Sequence, residues 1–290
     1  MSIVKEAMVC NLQLGMWLGY RLDKEASRTI TEQSNAAQDA ARVNKHLVPK
    51  ETLKPVQQAA TAIRTHFYLK TLPWKDNGDR LLTRAMYMSF IEEHEKLVGG
   101  FEDAVETFLK IDYPQARDRA EFRMGALFDP NDYPGTTMLR RKFYVNLDID
   151  AVTEAGDFRV TMEQHQLDAV RVSMERAMQA RLGRAMQDVW ARLGETLGHF
   201  ADKMGSDAIF RDSTVRNLEE IVDMLPGLNV LNDPELERIR QDIRASLIGY
   251  DPKDLRKDSG ARSAAAQEAQ RIMETMKAFM VGAGQYSEAA

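Results

Sequence analysis

The sequence predicts a mainly α protein with a small antiparallel β-sheet (α+β), a long central helix and a C-terminal helical subdomain. Three observations carry that prediction. Most apolar residues recur at spacings of three and four, the helical period. Two short runs, Cys10–Arg21 and Lys142–Asp150, alternate instead: Cys10, Leu12, Leu14, Met16, Leu18 and Tyr20 in the first, Phe143, Val145, Leu147 and Ile149 in the second. Period two sets those side chains on one face of a strand. A strand needs a partner, so the two runs pair and close residues 1–160 into one helical unit. The longest periodic segment, from about Thr161 to Met204, opens a second unit over 161–290.

The elements follow in chain order. Asp23–Asn44 is polar and Ala-rich and reads as a solvated helix or a mobile connection. After Pro49 a helix carries Leu53, Val56, Ala60, Ile63 and Phe67 on one face. TLPWKDNGD, Thr71–Asp79, stops it with Pro73 and Asn77-Gly78. A second helix, about Leu82–Ile111, has the stripe Phe90, His94, Leu97, Phe101, Val105 and Phe108. Asp112-Tyr113-Pro114 recurs as Asp132-Tyr133-Pro134, and both copies read as helix-to-turn punctuation around a short helix, Arg117–Phe128. Beyond the second strand, Glu154–Asp157 reads as a turn and Phe158–Val160 as a short third strand.

The long segment repeats Leu167, Val170, Met174, Met178, Leu182, Ala185, Val189, Leu193, Leu197, Phe200 and Met204. A helix of ~40 residues is ~60 Å long, a stalk or a span between lobes. Gly183 and Gly194 argue against its continuity, because an interior glycine costs about 1 kcal/mol against alanine. Asp212-Ser213, Asp233-Pro234 and Asp251-Pro252 read as helix starts. Ser263–Met280 is the last helix and Val281–Ala290 a fraying tail.

Composition bounds the function classes. The chain has 290 residues, 44% hydrophobic and 29% charged, which matches a globular protein with a real core. A net charge of −5 argues against sequence-independent nucleic-acid binding, which leaves a basic footprint. Cys10 is the single cysteine, so no internal disulfide forms, and a reducing cytoplasm is the expected compartment. No stretch of 18 apolar residues is present, so no membrane partner is expected. Lys5, Glu6, Asn11 and Gln13 break any signal-peptide pattern at the N-terminus.

The search for chemistry returns little. No P-loop, GxGxxG, HExxH, GxSxG or CxxC pattern occurs. His94 sits in Glu92-Glu93-His94-Glu95, but no Glu precedes it at the three-residue spacing of a bundle metal site, and it falls on the apolar stripe. Glu195 and His199 share a helix face without further ligands. His46, His66 and His165 have no evident partners. Cys10 reads as a buried small hydrophobe. No catalytic residue, metal or cofactor is expected. The interaction candidates lie in two turn regions that mix aromatic and charged groups: Trp74, Asp76 and Arg80, then Asp129, Asp132 and Tyr133. Arg171, Arg181 and Arg184 are the candidates for a phosphate-contacting stripe.

TLPWKDNGDRLL, LFDPNDYP, FRDSTVRNLEEIVDMLPGLNVLNDPEL and DPKDLRKDSGAR together resemble a domain-of-unknown-function family of tailed phages and prophages, over roughly Cys10 to Met280. The resemblance implies genomic neighbours of two kinds, MoxR-type AAA+ ATPases and von Willebrand A or cobaltochelatase-like proteins. It implies no catalytic residue. The expected function is therefore non-enzymatic protein–protein interaction, as adaptor or substrate of an AAA+ system, with the long helix as docking or oligomerisation surface. The second reading is a nucleic-acid-binding accessory of phage replication or recombination.

Overall fold

The structure, a computed structural model, describes residues 3–153, 164–206 and 211–283. In chain order it forms β1 (Ala7–Gly15), β2 (Tyr20–Asp23), α1 (Lys24–Gln33), β3 (Val43–His46), α2 (Lys50–Lys70), β4 (Leu72–Pro73), β5 (Arg80–Thr83) and α3 (Arg84–Thr107). Then follow α4 (Tyr113–Asp118), α5 (Ala120–Met124), α6 (Thr136–Arg140), β6 (Tyr144–Ala151), α7 (Gln164–Gly205), α8 (Asp212–Leu228), α9 (Pro234–Ser246), α10 (Pro252–Lys257) and α11 (Ser259–Ala283). The fold is mainly helical, with a four-stranded sheet in the order β4-β5-β1-β6 and a separate β2-β3 pair. The two alternating runs therefore do supply neighbouring strands, β1 and β6. The suggested turn at Glu154–Asp157, the strand at Phe158–Val160, the helix start at Thr161 and the division at residue 160 all lie outside the described residues.

Contacts divide the chain into two compact units. The first holds Met1–Asn11, Tyr68–Ser89 and Asp148–Ala290, the second Leu12–Phe67 and Phe90–Leu147.

In the second unit, the α2 stripe Leu53, Val56, Ala60, Ile63 and Phe67 is buried as its spacing requires. The core also gathers Trp17, Phe101, Phe108, Tyr113, Tyr133 and Phe143. Trp17 meets Tyr113 edge-on at 5.6 Å, a favourable quadrupole arrangement. The first alternating run ends as a strand at Gly15. Trp17 turns into the core, and Gly19 takes φ 72° against Leu53 and Val48 before β2 pairs with β3. The first Asp-Tyr-Pro copy is no turn. A π-helical turn, Phe108–Asp112, continues the helix into α4, whose second residue is Pro114. The Tyr113 hydroxyl donates to the carbonyl of Pro134 at 2.7 Å, so the first copy of the tripeptide holds the second.

In the first unit, the expected second helix begins later than its spacing suggested, because Leu81 and Leu82 are fully buried residues of β5. Glycine does not interrupt α7, which runs for 42 residues. An alanine side chain at Gly194, Gly198 or Gly205 would stand 3.8, 3.7 and 3.7 Å from Met276, Met273 and Ala266 of α11, in descending order. The two helices are thus antiparallel, with glycine lining the seam. Asp233 and Asp251 cap α9 and α10 as their prolines predicted. Asp212 does not cap α8; it is the first helical residue after Arg211. Asp258 accepts from the Gly260 and Ala261 amides and so starts α11 at Ser259, ahead of Ser263.

Candidate functional site

The β4–β5 connection builds one side of a cavity in the first unit. The Trp74 and Lys75 amides both donate to the Asp79 carbonyl at 3.1 Å, and Gly78 takes φ 93°. The Asp79 carboxylate accepts from Lys75 and Asn11, each at 3.0 Å, and from Asn77 at 3.2 Å. Lys75 first, then Asn11, hold that carboxyl below the usual range. One carboxylate thus ties Lys75 and Asn77 of the turn to Asn11 of β1.

Trp74 is buried behind this turn, and the Arg181 guanidinium of α7 stands 5.7 Å from its ring centroid. Two candidates from separate sequence lists thus meet in space. They border a cavity of about 450 Å³, lined further by Val9, Asp150, Thr153, Met174 and Met178. A size of this order suits a small ligand or an anchoring side chain. Its walls combine an aromatic floor, two cations (Lys75 and Arg181), two carboxylates (Asp79 and Asp150) and two adaptable thioethers. The sequence offers no motif for this group, because the lining comes from β1, the β4–β5 turn, the end of β6 and α7.

The other candidates go elsewhere. Asp76 is exposed at the tip of the turn. Arg80 faces the end of α2: it donates to the Thr71 hydroxyl at 2.7 Å, the Thr71 carbonyl at 2.8 Å and the Tyr68 carbonyl at 3.4 Å, over the Tyr68 ring. In the second unit, Asp129 caps a single 3₁₀ turn through the Asn131 amide. Asp132 is buried and ion-paired with Arg21 at 2.5 Å and with Lys45. Tyr133 donates its hydroxyl to the Leu47 carbonyl at 3.0 Å, and burial pushes its phenol up. This second turn cluster is a clamp on β2–β3 and the core.

Arg171 and Arg184 are exposed on α7, but at 100° per residue they point about 140° apart and share no face. The Cys10 thiol donates to the Arg80 carbonyl at 3.5 Å, and burial pushes it up to about 12, far from a nucleophilic thiolate. Among the described residues no group of three or more His, Cys, Asp or Glu converges on a metal position, and no helix is long and apolar enough to cross a membrane.

No family model, no curated protein and no solved structure matches the chain.

Proposed function

We propose that this is a non-enzymatic phage or prophage protein that acts by binding another protein, an AAA+ ATPase of the kind the family resemblance implies. One observation carries the reading. The apolar stripe of α7 runs on past Leu182 into a stretch where Leu167, Val170, Met174 and Met178 are only half-buried among the described residues. From Leu182 to Met204 the stripe is buried against the rest of its unit. From Leu167 to Arg181 it continues through Val170, Met174 and Met178, yet no residue of that stretch is buried among those described. Val172, on the same stretch, is 45% exposed. A solvated helix end does not need that stripe; a helix that receives a partner's apolar surface does. The Trp74–Arg181 cavity opens beside Met174 and Met178 and offers an anchor pocket at the same place.

The test is sedimentation velocity of the purified chain with the AAA+ ATPase from the same genome. A complex in the micromolar range is expected, weakened at least tenfold by Val170→Asp with Met174→Asp. No complex at 100 µM, or one the double variant leaves intact, overturns the reading.

A further inference from the structure

We infer that a small basic cavity in the second unit binds a phosphate-bearing small molecule of about diphosphate size. The cavity, about 250 Å³, lies between α1 and the segment that leads into β3. It is smaller than the roughly 300 Å³ at which drug-sized sites begin. Lys24, Arg28 and Arg42 line it, and no carboxylate does among the described residues. On a chain of net −5, three cations around one small cavity select an anion.

The backbone holds the groups of this site together. Lys24, Ser27, Arg28 and Thr31 follow at spacings of three and four, so α1 turns them to one face. Thr31, 1% exposed, anchors that face in the fold. The Ser27 hydroxyl accepts from the Val43 amide at 3.0 Å, which fixes the backbone beside Arg42 against α1. The Ala36 amide donates to the Thr31 carbonyl at 2.9 Å and turns the chain back, so Gln38 reaches the same cavity.

The cations are uncommitted. Among the described residues the side chains of Lys24 and Arg42 have no ion pair or hydrogen bond, and Arg28 has only Glu32 at 3.6 Å, both largely solvated. Lys24 and Arg28 stand four apart, a spacing at which like charges destabilise a helix. An oxyanion between them and Arg42 removes that repulsion, and a guanidinium fork matches two phosphate oxygens. A single carboxylate would leave two of the three cations unanswered. A nucleic acid would extend past the cavity into the field of a net-acidic chain.

The experiment is isothermal titration of the full chain with inorganic pyrophosphate, at pH 7.5 and constant ionic strength. One site with a Kd below 1 mM is expected. Lys24→Gln with Arg42→Gln should weaken it at least tenfold. Lys96→Gln with Lys110→Gln removes the same charge elsewhere in the second unit and should weaken it less than twofold. All four side chains are exposed, so thermal melting of both double variants without ligand should match the wild type. No binding at 10 mM pyrophosphate overturns the inference, as does an equal loss in the two double variants. Acetate bound as tightly as pyrophosphate overturns it in favour of a carboxylate. A single-stranded oligonucleotide bound tenfold tighter than pyrophosphate, and released by Lys24→Gln with Arg42→Gln, overturns it in favour of a nucleic acid.

Discussion

Arg80 and Arg192 donate to the same carbonyl oxygen, that of Thr71, at 2.8 and 2.9 Å. Arg192 also reaches the Leu69 carbonyl at 2.9 Å and is held from its own helix by Asp188 at 2.5 Å. Two guanidiniums thus close the C-terminal end of α2, where backbone carbonyls lack helical donors and cations are favoured. Burial, and then the neighbouring Arg192, lower the Arg80 guanidinium from its ordinary value. Arg192→Met should cost about 2 kcal/mol, the scale of hydrogen bonds to a charged group. Arg192→Lys should recover less than half, because one ammonium cannot span two carbonyls as a planar fork does. Urea denaturation measures both, and a neutral Arg192→Met would show that the brace contributes nothing.

Gly15 and Tyr144 make the next case, on neighbouring strands β1 and β6. A Cβ placed on Gly15 would lie 2.2 Å from Cε1 of the Tyr144 ring. The ring covers the strand where glycine leaves room, the way aromatic residues compensate a glycine in a sheet. Gly15→Ala must displace that ring and should destabilise by about 1–2 kcal/mol. In a chain carrying Tyr144→Ala the same change should be nearly neutral, so a double-mutant cycle must show coupling. Additive effects would mean that the ring moves aside freely.

These two contacts show what the sequence could convey. Helical spacing found α2 and α7, because Leu53 to Phe67 and Leu182 to Met204 are buried along one face each. Alternation found β1 and β6 but overran the first at Gly15. Alternating apolar residues look the same whether the chain continues straight or turns at a Gly19 with positive φ. The buried pair Leu81-Leu82 hid β5, since two adjacent leucines fit the start of a helix as well as a strand. The apolar face of β6 is only half-buried, so Leu147→Asp should be milder than a core substitution such as Phe143→Ala, which empties a site 2% exposed. As for the site, Trp74 and Arg181 stood out singly as a loop aromatic and a helix cation. Their pairing depends on α7 lying beside the β4–β5 turn, which no local pattern encodes. Arg80 and Asp132 look like site residues from sequence, because charged loop residues and internal braces have the same composition.

The rings of His66, Phe90 and His94 pack together in the second unit. His66 and His94 stack on Phe90 at 4.9 and 5.5 Å and stand 6.4 Å apart. His66 donates through Nε2 to the Phe90 carbonyl at 3.0 Å, while Nδ1 of His94 is buried without a hydrogen-bond partner among the described residues. Burial first, then His66, lower the His94 imidazole from its ordinary 6.5, and Glu95 opposes them weakly. The folded chain therefore holds this ring neutral. Its contribution to stability is full above about pH 6.5 and is lost as pH falls through the folded value. Denaturation midpoints between pH 7.5 and 5 should fall for the wild type and fall less for His94→Leu. Parallel curves would remove His94 from the acid response.

Asp132 makes the opposite limb. Its carboxylate is buried between Arg21 and Lys45, and Asp23 lies 3.9 Å from the Lys45 ammonium. The hydrogen bond to Asp132 is the main cause that raises the Lys45 amine above its ordinary 10.5. A raised ammonium stabilises the fold fully below about pH 10.5, and that stability disappears as pH climbs through the folded value. Asp132→Asn keeps the shape and an acceptor but removes the charge. It should cost about 2 kcal/mol at pH 8, less than a fully buried pair because Arg21 is largely solvated. It should also flatten the decline between pH 9 and 11, since the amine then keeps only the weaker pull of the Asp23 and Asp129 carboxylates to hold its proton. Equal alkaline slopes in wild type and variant, by urea denaturation at each pH, would show that the β2–β3 clamp works through packing alone.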